Sequence, residues 1–356
     1  MIKKYLNRLF IDGLSGMASG LFATLIIGTI LCQISELVGD NAISGYINTV
    51  GTLAKTISGV GIGVGVATKL GASALTTVSA AVAGMVGAFP HIMTGEYPYY
   101  AIQDFTLGNP GSPLGAFIAA YVAIEVGGFV SGKTKLDIIL TPLCCIAAGA
   151  AAGYFVGPPV AKFMAGVGNI IEFGVDQQPI LCGMIVSVIM GICLTLPISS
   201  AAIGIALDLS GLAAGAAVVG CCCNMIGFAV ASYRDNKVTG LVSQGIGTSM
   251  LQMPNIIKKP IIWLPAIVAS AILGPVSTAV LQMVSTAKGS GMGTAGLVGP
   301  IETYVAMTTS GVESTLAVIE IALMHFVLPA VIALGVSEGM RKLKWIKPGD
   351  MRLGAQ

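Results

Sequence analysis

Three short stretches set hydroxyls and amides among helix breakers inside otherwise apolar sequence. TLPISSAAIG, residues 195–204, places Pro197 beside Ser199 and Ser200. SQGIGTSMLQMPN, residues 243–255, offers Gln244, Thr248, Ser249, Gln252 and Asn255 and closes on Pro254. GSGMGTAGLVGP, residues 289–300, carries Ser290 and Thr294 among five glycines. In hydrocarbon, irregular backbone persists only where protein buries it or where it lines a wet cavity. The N–H and C=O groups that such breaks free, joined by hydroxyls and amides, suit an uncharged, polyhydroxylated solute. The competing reading of each stretch is a kink packed by small residues. On the first reading the substrate-binding candidates are Ser199, Ser200, Thr248, Gln252, Asn255 and Thr294, with Asn224 of GCCCNMIG beside them.

Ionisable residues within apolar runs are few, and in a membrane such groups are costly and usually functional. Glu125, in FIAAYVAIEVGGF, is a candidate for binding solute hydroxyls or carrying a coupling proton; an ion pair with Lys55 is the alternative. Glu320 and His325, five apart, read as a helix-packing pair ahead of a proton relay. Asp137 and Asp208 suit helix caps, and Arg234 and Asp235 of SYRDNK suit a local pair. No paired-carboxylate, G-x-S-x-G or phosphate-cradling signature accompanies them, so an autonomous catalytic site is not expected. The eight cysteines lie in apolar stretches without CxxC or Cys/His spacing, which suits small packing residues and no metal. No cofactor is implied.

The elements that hold these residues must be membrane helices. Of 356 residues, 55% are hydrophobic and 10% charged, with a mean hydropathy of +0.89; soluble domains carry about 25% charged residues. The chain is thus read as an all-α integral membrane protein, a single polytopic domain over residues 1–356. No basic tract with interleaved aromatics points to nucleic acid. Lys3, Lys4 and Arg8 precede an apolar run reaching Val38, longer than a signal-peptide core, so it reads as an uncleaved first helix. Taking about 20 apolar residues per span, about ten spans are expected, near 14–38, 47–68, 71–90, 113–132, 138–157, 179–198, 209–231, 238–257, 261–282 and 314–338. Residues 91–112 read as a polar, tyrosine-rich loop, 159–178 as an interfacial amphipathic stretch, 283–313 as a glycine-rich re-entrant segment and 339–356 as a cytoplasmic tail. By lysine and arginine distribution, both termini, Lys133/Lys135 and Lys258/Lys259 face the cytoplasm; Lys162, Arg234, Lys237 and Lys288 then face outward.

The sequence also resembles itself. Residues 67–87 match 206–227, with Lys69 against Asp208, and DIILTP (137–142) matches NIIKKP (255–260). The offsets, 208 − 69 = 139 and 255 − 137 = 118, differ by 21, the length of 92–112. One insertion into an ancestral duplication, with repeat units 47–158 and 196–282, explains both. Duplicated halves are a habit of secondary transporters, whose substrate site lies between them.

LTLPISSAAI, GCCCNMIGFAVASYRDN, GTSMLQMPNI and GMGTAGLVG, with SGKTKLDIILTPL earlier, resemble the type 2 family of phosphotransferase-system membrane component IIC, also called a toxin-gene regulator of the perfringolysin-regulator type. The resemblance covers roughly residues 10–340. It implies a bacterial inner-membrane homodimer of about ten spans that translocates a sugar-like solute by alternating access, with phosphate supplied by separate IIA and IIB proteins. The chain departs from glucose-type members in lacking their cytoplasm-side His and GITE-like loop. Ion-coupled transport without phosphorylation, and a membrane sensor that regulates gene expression, are the other expectations.

Overall fold

The computed structural model describes residues 2–39, 41–89, 112–133, 135–175, 178–207 and 209–354. The tyrosine-rich loop, apart from Ser112, lies outside them, as do Asp176 and Asp208. Helices make up the chain, with no strand among the described residues. They form two compact units, Met1–Phe163 and Met164–Gln356.

In the first unit, α1 (residues 2–38) is one continuous helix with π turns at Arg8–Gly13 and Phe22–Ile26. It is followed by α2 (Ala42–Thr56) and α3 (Ser58–Lys69), which meet at a 55° bend, then α4 (Ala74–Ala88) and α5 (Pro113–Val130). Side-chain caps start three of them. Asn41 accepts from the Ser44 N–H (2.8 Å), Ser73 from Thr76 (3.3 Å), and Ser112 from Gly115 (3.0 Å) with Pro113 at the first helical position. The last helix, α6 (Asp137–Val175), runs on past Phe163. Asp137 anchors its first turn, accepting from the Gly132 N–H (2.9 Å) and the Thr141 hydroxyl (2.6 Å).

The glycine run GVGIGVGVA explains how these helices approach one another. A spacing of two on a helix turns successive glycines to opposite faces. Gly61 and Gly65 therefore meet Gly20 and Gly16 of α1, while Gly59 and Gly63 meet Gly84 and Ala80 of α4. Without Cβ atoms the backbones touch, which is how membrane helices gain packing when lipid is as apolar as their side chains. The Gly-x-Gly pattern here serves helix packing on both sides of α3.

In the second unit, α7 (Pro179–Thr195), α8 (Ser200–Ala206), α9 (Gly211–Ala231), α10 (Tyr233–Val242), α11 (Met253–Lys258), α12 (Pro260–Val280), α13 (Val298–Thr309) and α14 (Ser314–Lys342) follow in order. The axle is α9: 89% of its apolar window is buried, against 22–50% for the other long helices. Its Gly220 lies on the Ser187 carbonyl of α7 and its Gly227 on Ala266 and Ala333 of α12 and α14.

Hydrogen bonds set the directions. The Ser285 N–H donates to Gly211 O (3.2 Å) and Thr278 Oγ1 to Pro179 O (2.6 Å), so the starts of α7 and α9 share one end with the finish of α12. At the other end, Arg341 donates to Ala231 O (2.9 Å) and Lys259 pairs with Asp350 (2.6 Å). The finishes of α9 and α14 and the start of α12 therefore lie at the end that carries the C-terminal tail.

Several expectations are corrected. Among the described residues six helices are long and apolar enough to cross a membrane, seven if the bent pair α2–α3 is one span, which does not confirm the count of about ten. Residues 74–88 and 179–195 form helices of 15 and 17 residues, about 23–26 Å at 1.5 Å per residue, short of a roughly 30 Å hydrocarbon core. Residues 238–257 form no span, because Thr248 is extended (φ −160°, ψ 139°) between two short helices. Residues 159–175 continue α6 through Pro158 and Pro159 to a total of 39 residues; proline removes a donor but keeps a helical φ. Arg234 and Lys237 lie with Lys258 and Lys259 at the tail end, since the chain between them does not cross. Arg234 pairs with Glu338 (2.7 Å) and not with Asp235.

Close packing of α3 makes a direct prediction. Gly63→Val should lower stability by about 1–3 kcal/mol or more, read as loss of the monodisperse, folded species in detergent. Gly45→Ala, where nothing lies within 4 Å of an added Cβ, should be neutral or slightly stabilising.

Candidate functional site

The three polar stretches are interrupted segments of the second unit; 233–258 and 286–312 each return to the end they left, while 196–210 lead back to the end from which α7 starts. Residues 196–210 begin where α7 stops and come back through α8 to the end where α9 starts. Residues 286–312 enter from that same end as a turn of helix (Ala287–Ser290), turn through a 3-10 piece (Ala295–Leu297) and return as α13. Residues 233–258 come from the opposite, tail-bearing end: Asn236 and Lys259, which flank the segment, both bond the tail.

The tips converge on the middle of α9. Gly293, at φ 52°, rests its backbone on Cys221 and Cys222, where a Cβ would meet their backbone at 2.9–3.1 Å. Gly291 lies against the Ser200 backbone, and the Ser200 hydroxyl donates to Gly291 O (2.6 Å). Thr294 donates to Gly245 O (2.5 Å) and lies 3.5 Å from Met225 Sδ, joining the segment from one end to the segment from the other. The glycines of 289–300 thus let one backbone approach a neighbouring helix and a neighbouring break; Leu297, at φ 62°, is a left-handed position without that excuse.

Beside this junction lies a buried polar network centred on Asn224. Its Oδ1 accepts from Trp263 Nε1 (2.8 Å) and the Thr195 hydroxyl (3.2 Å), and its Nδ2 donates to Gly220 O (3.2 Å) and Ser270 Oγ (3.4 Å). Thr195 also shares a 2.8 Å contact with Ser249 Oγ. Asn224, Thr195, Ser249 and Ser270 are fully buried and Trp263 is partly exposed. Each element supplies its group for a local reason: α7 ends at Thr195, Thr248 caps the 3-10 turn by accepting from Met250 N–H (3.1 Å), and α12 starts one turn before Trp263.

A second amide chain runs toward the tail. Asn255 Nδ2 donates to Gln252 Oε1 (2.8 Å), Gln252 Nε2 to Gln244 Oε1 (2.8 Å), and Gln244 Nε2 to the Ser232 hydroxyl (2.9 Å). Gln252 and Asn255 also donate to the carbonyls of Met351 and Arg352, at 2.9 and 3.0 Å.

Sequence reasoning and geometry agree only in part. Ser200 and Thr294 fasten the convergence, Asn224 and Thr248 lie beside it, and Gln252 and Asn255 lie on the amide chain that runs to the tail; Ser199 is half-buried. Thr195 and Trp263 were not singled out. Trp263 is one of two tryptophans and follows Lys258-Lys259-Pro260, a setting that reads as an interfacial anchor. Glu125 belongs to the first unit, and its partner is Arg8 at 2.9 Å, not Lys55, with Tyr121 against the same pair. His325 is fully buried in a π turn, Leu323–Val327, and neither ring nitrogen has a partner among the described residues, so it makes no pair with Glu320. The cysteines are unbridged, and no metal-holding group of His, Cys, Asp or Glu occurs among the described residues.

Apolar helices with opposed interrupted segments meeting on a buried axle define a polytopic membrane protein of transport type. The family described as "Phosphotransferase system, EIIC" matches residues 11–353, nearly the whole chain, and the protein belongs to that family. No curated protein shows significant similarity to it. It is therefore a multi-pass membrane subunit of the phosphotransferase-system type, a class that works with separate IIA and IIB proteins.

The tail end titrates. Burial acts to raise the Asp350 carboxyl, but hydrogen bonds from Lys259 and the Lys347 N–H outweigh it and hold the carboxyl below its usual range. That stabilisation is present above the unfolded value of about 3.9 and is lost as pH falls through the lower folded value. Thermal unfolding should therefore show a drop below pH 4 that Asp350→Asn removes, while lowering stability at pH 7 by on the order of 1 kcal/mol.

Proposed function

We propose that the protein binds and translocates a sugar-like, uncharged polar solute by alternating access, as the membrane subunit of a phosphotransferase permease. The observation that carries this reading is the meeting of segments from opposite ends, Thr294 on Gly245 O, beside the Asn224 network. Discontinuous elements meeting inside the membrane bring backbone and side-chain hydrogen-bonding groups together in a medium that otherwise excludes them. Asn224, Thr195, Ser249 and Trp263 supply donors, acceptors and a flat apolar face, the combination that a polyhydroxylated ring needs. Thr248, Gln252 and Asn255 extend the polar lining, and Ser199, Ser200 and Thr294 shape it. In the conformation described these groups bond one another, so solute would enter by exchanging those bonds for its own.

Phosphate transfer falls to separate IIA and IIB partners, which meet the sugar on its delivery side. Bacterial inner-membrane placement, cytoplasmic termini and a homodimer belong to the same reading, as does descent from a duplication. A second reading, ion-coupled transport, rests on His325. An imidazole buried with both nitrogens unpartnered is costly, and π turns recur at functional sites. Glu125 with its Arg8 partner is the other candidate for such coupling.

The test is uptake of a labelled sugar panel by purified protein in liposomes, with a pH gradient switched on and off. Downhill flux that becomes accumulation of sugar phosphate when IIA and IIB proteins are added supports the permease. Gradient-driven accumulation would replace it with the ion-coupled reading. Asn224→Ala should cut uptake at least tenfold, equivalent to about 1.4 kcal/mol of lost interaction, with the folded species retained. Uptake unchanged in that variant would remove the Asn224 network from the site. Glu125→Gln reports separately on coupling.

A further inference from the structure

The tail after α14 does not hang free. Trp345 to Leu353 folds back across the end of segment 233–258, with Ile346 and Met351 buried. Six hydrogen bonds join tail backbone to side chains beneath it. Asn236 Nδ2 (2.8 Å) and Gln252 Nε2 (2.9 Å) donate to Met351 O, and Asn255 Nδ2 (3.0 Å) to Arg352 O. In return, Asp235 accepts from the N–H groups of Gly349 (2.9 Å) and Met351 (3.3 Å), and Asn236 Oδ1 from Leu353 (2.8 Å). Lys259, where the segment ends, pairs with Asp350 at 2.6 Å.

We infer that residues 345–353 form a displaceable latch that holds the interrupted segment 233–258 shut against the tail end of the second unit. The contacts are of the kind that water can replace: they run from polar side chains to backbone in turns, with only two buried apolar anchors. The amides underneath are also linked to one another, Asn255 to Gln252 to Gln244 to Ser232. The segment itself is held weakly. Lys237 is non-helical (φ 53°) within α10, Thr248 is extended, and neither short helix is long enough to be stable alone. The latch clamps both its limbs, through Asp235 and Asn236 on one side and Gln252, Asn255 and Lys259 on the other. This inference stands whether or not the segment binds solute.

Hydrogen exchange of the purified protein, read by peptide, tests it against two variants: the chain ended after Lys347, and full-length Asp350→Asn. In the shortened chain, exchange across 240–258 should rise about tenfold or more while α9 and α12 keep their protection, the signature of a local opening. Asp350→Asn should raise exchange in the same peptides by a smaller factor. Unchanged exchange across 240–258 in both variants would show that the tail restrains nothing. Loss of protection throughout α9 and α12 on truncation, with no local rise in Asp350→Asn, would make the tail an integral part of the fold and overturn the latch.

Discussion

Backbone that leaves a helix inside a membrane must find its hydrogen-bond partners in protein, and in the second unit one helix, α9, answers that demand. Gly215, Gly220, Cys221, Cys222 and Asn224 present to its neighbours a surface small enough for main chain to touch and polar enough to satisfy it. The interrupted segments owe their positions to that surface. Gly293 fits over Cys221 because neither side carries bulk, and Thr294 reaches Gly245 O because Gly293 fits.

The two units solve helix packing by different means. In the first, helices mesh through glycine pairs: Gly16 with Gly65, Gly20 with Gly61, Gly59 with Gly84, Gly87 with Gly115. Arg8 and Glu125 form an ion pair there at 2.9 Å. In the second, long helices stand beside short and broken ones and side-chain hydrogen bonds carry the connections, from Ser187 to Ser270 O (2.8 Å) through the Asn224 network to the tail. Such networks specify one arrangement when fully satisfied. Exchanging their bonds for those of a ligand is also how an element with two arrangements changes between them. Among the described residues of this unit, the His325 ring nitrogens and the Ser243 and Ser277 hydroxyls are buried polar atoms that such bonding leaves unsatisfied.

Much was legible in the chain itself. Hydropathy and the scarcity of charge determine a helical membrane protein, and the long apolar runs at 211–231, 260–280 and 314–342 are found where periodicity and length place them. The breaks at 195–204, 243–255 and 289–300 were also legible, because Pro197, Pro254 and the glycine series act locally on backbone whatever surrounds them. Three of the five family motifs, LTLPISSAAI, GTSMLQMPNI and GMGTAGLVG, lie on those same breaks.

Tertiary structure alone decided what the breaks mean. Whether residues 238–257 cross or turn back depends on partners far away in sequence, Met351, Asp350 and Thr294, none of which hydropathy can report. The same holds for Glu125, whose partner Arg8 is 117 residues distant where Lys55 was the nearer candidate, and for Arg234, drawn to Glu338 and away from its neighbour Asp235. Trp263 is joined in the same way to Asn224, 39 residues away, to which its indole nitrogen donates at 2.8 Å. Local sequence sets where a helix must stop; only the packed chain, by pairing each freed polar group with one specific distant partner, sets where the chain goes next.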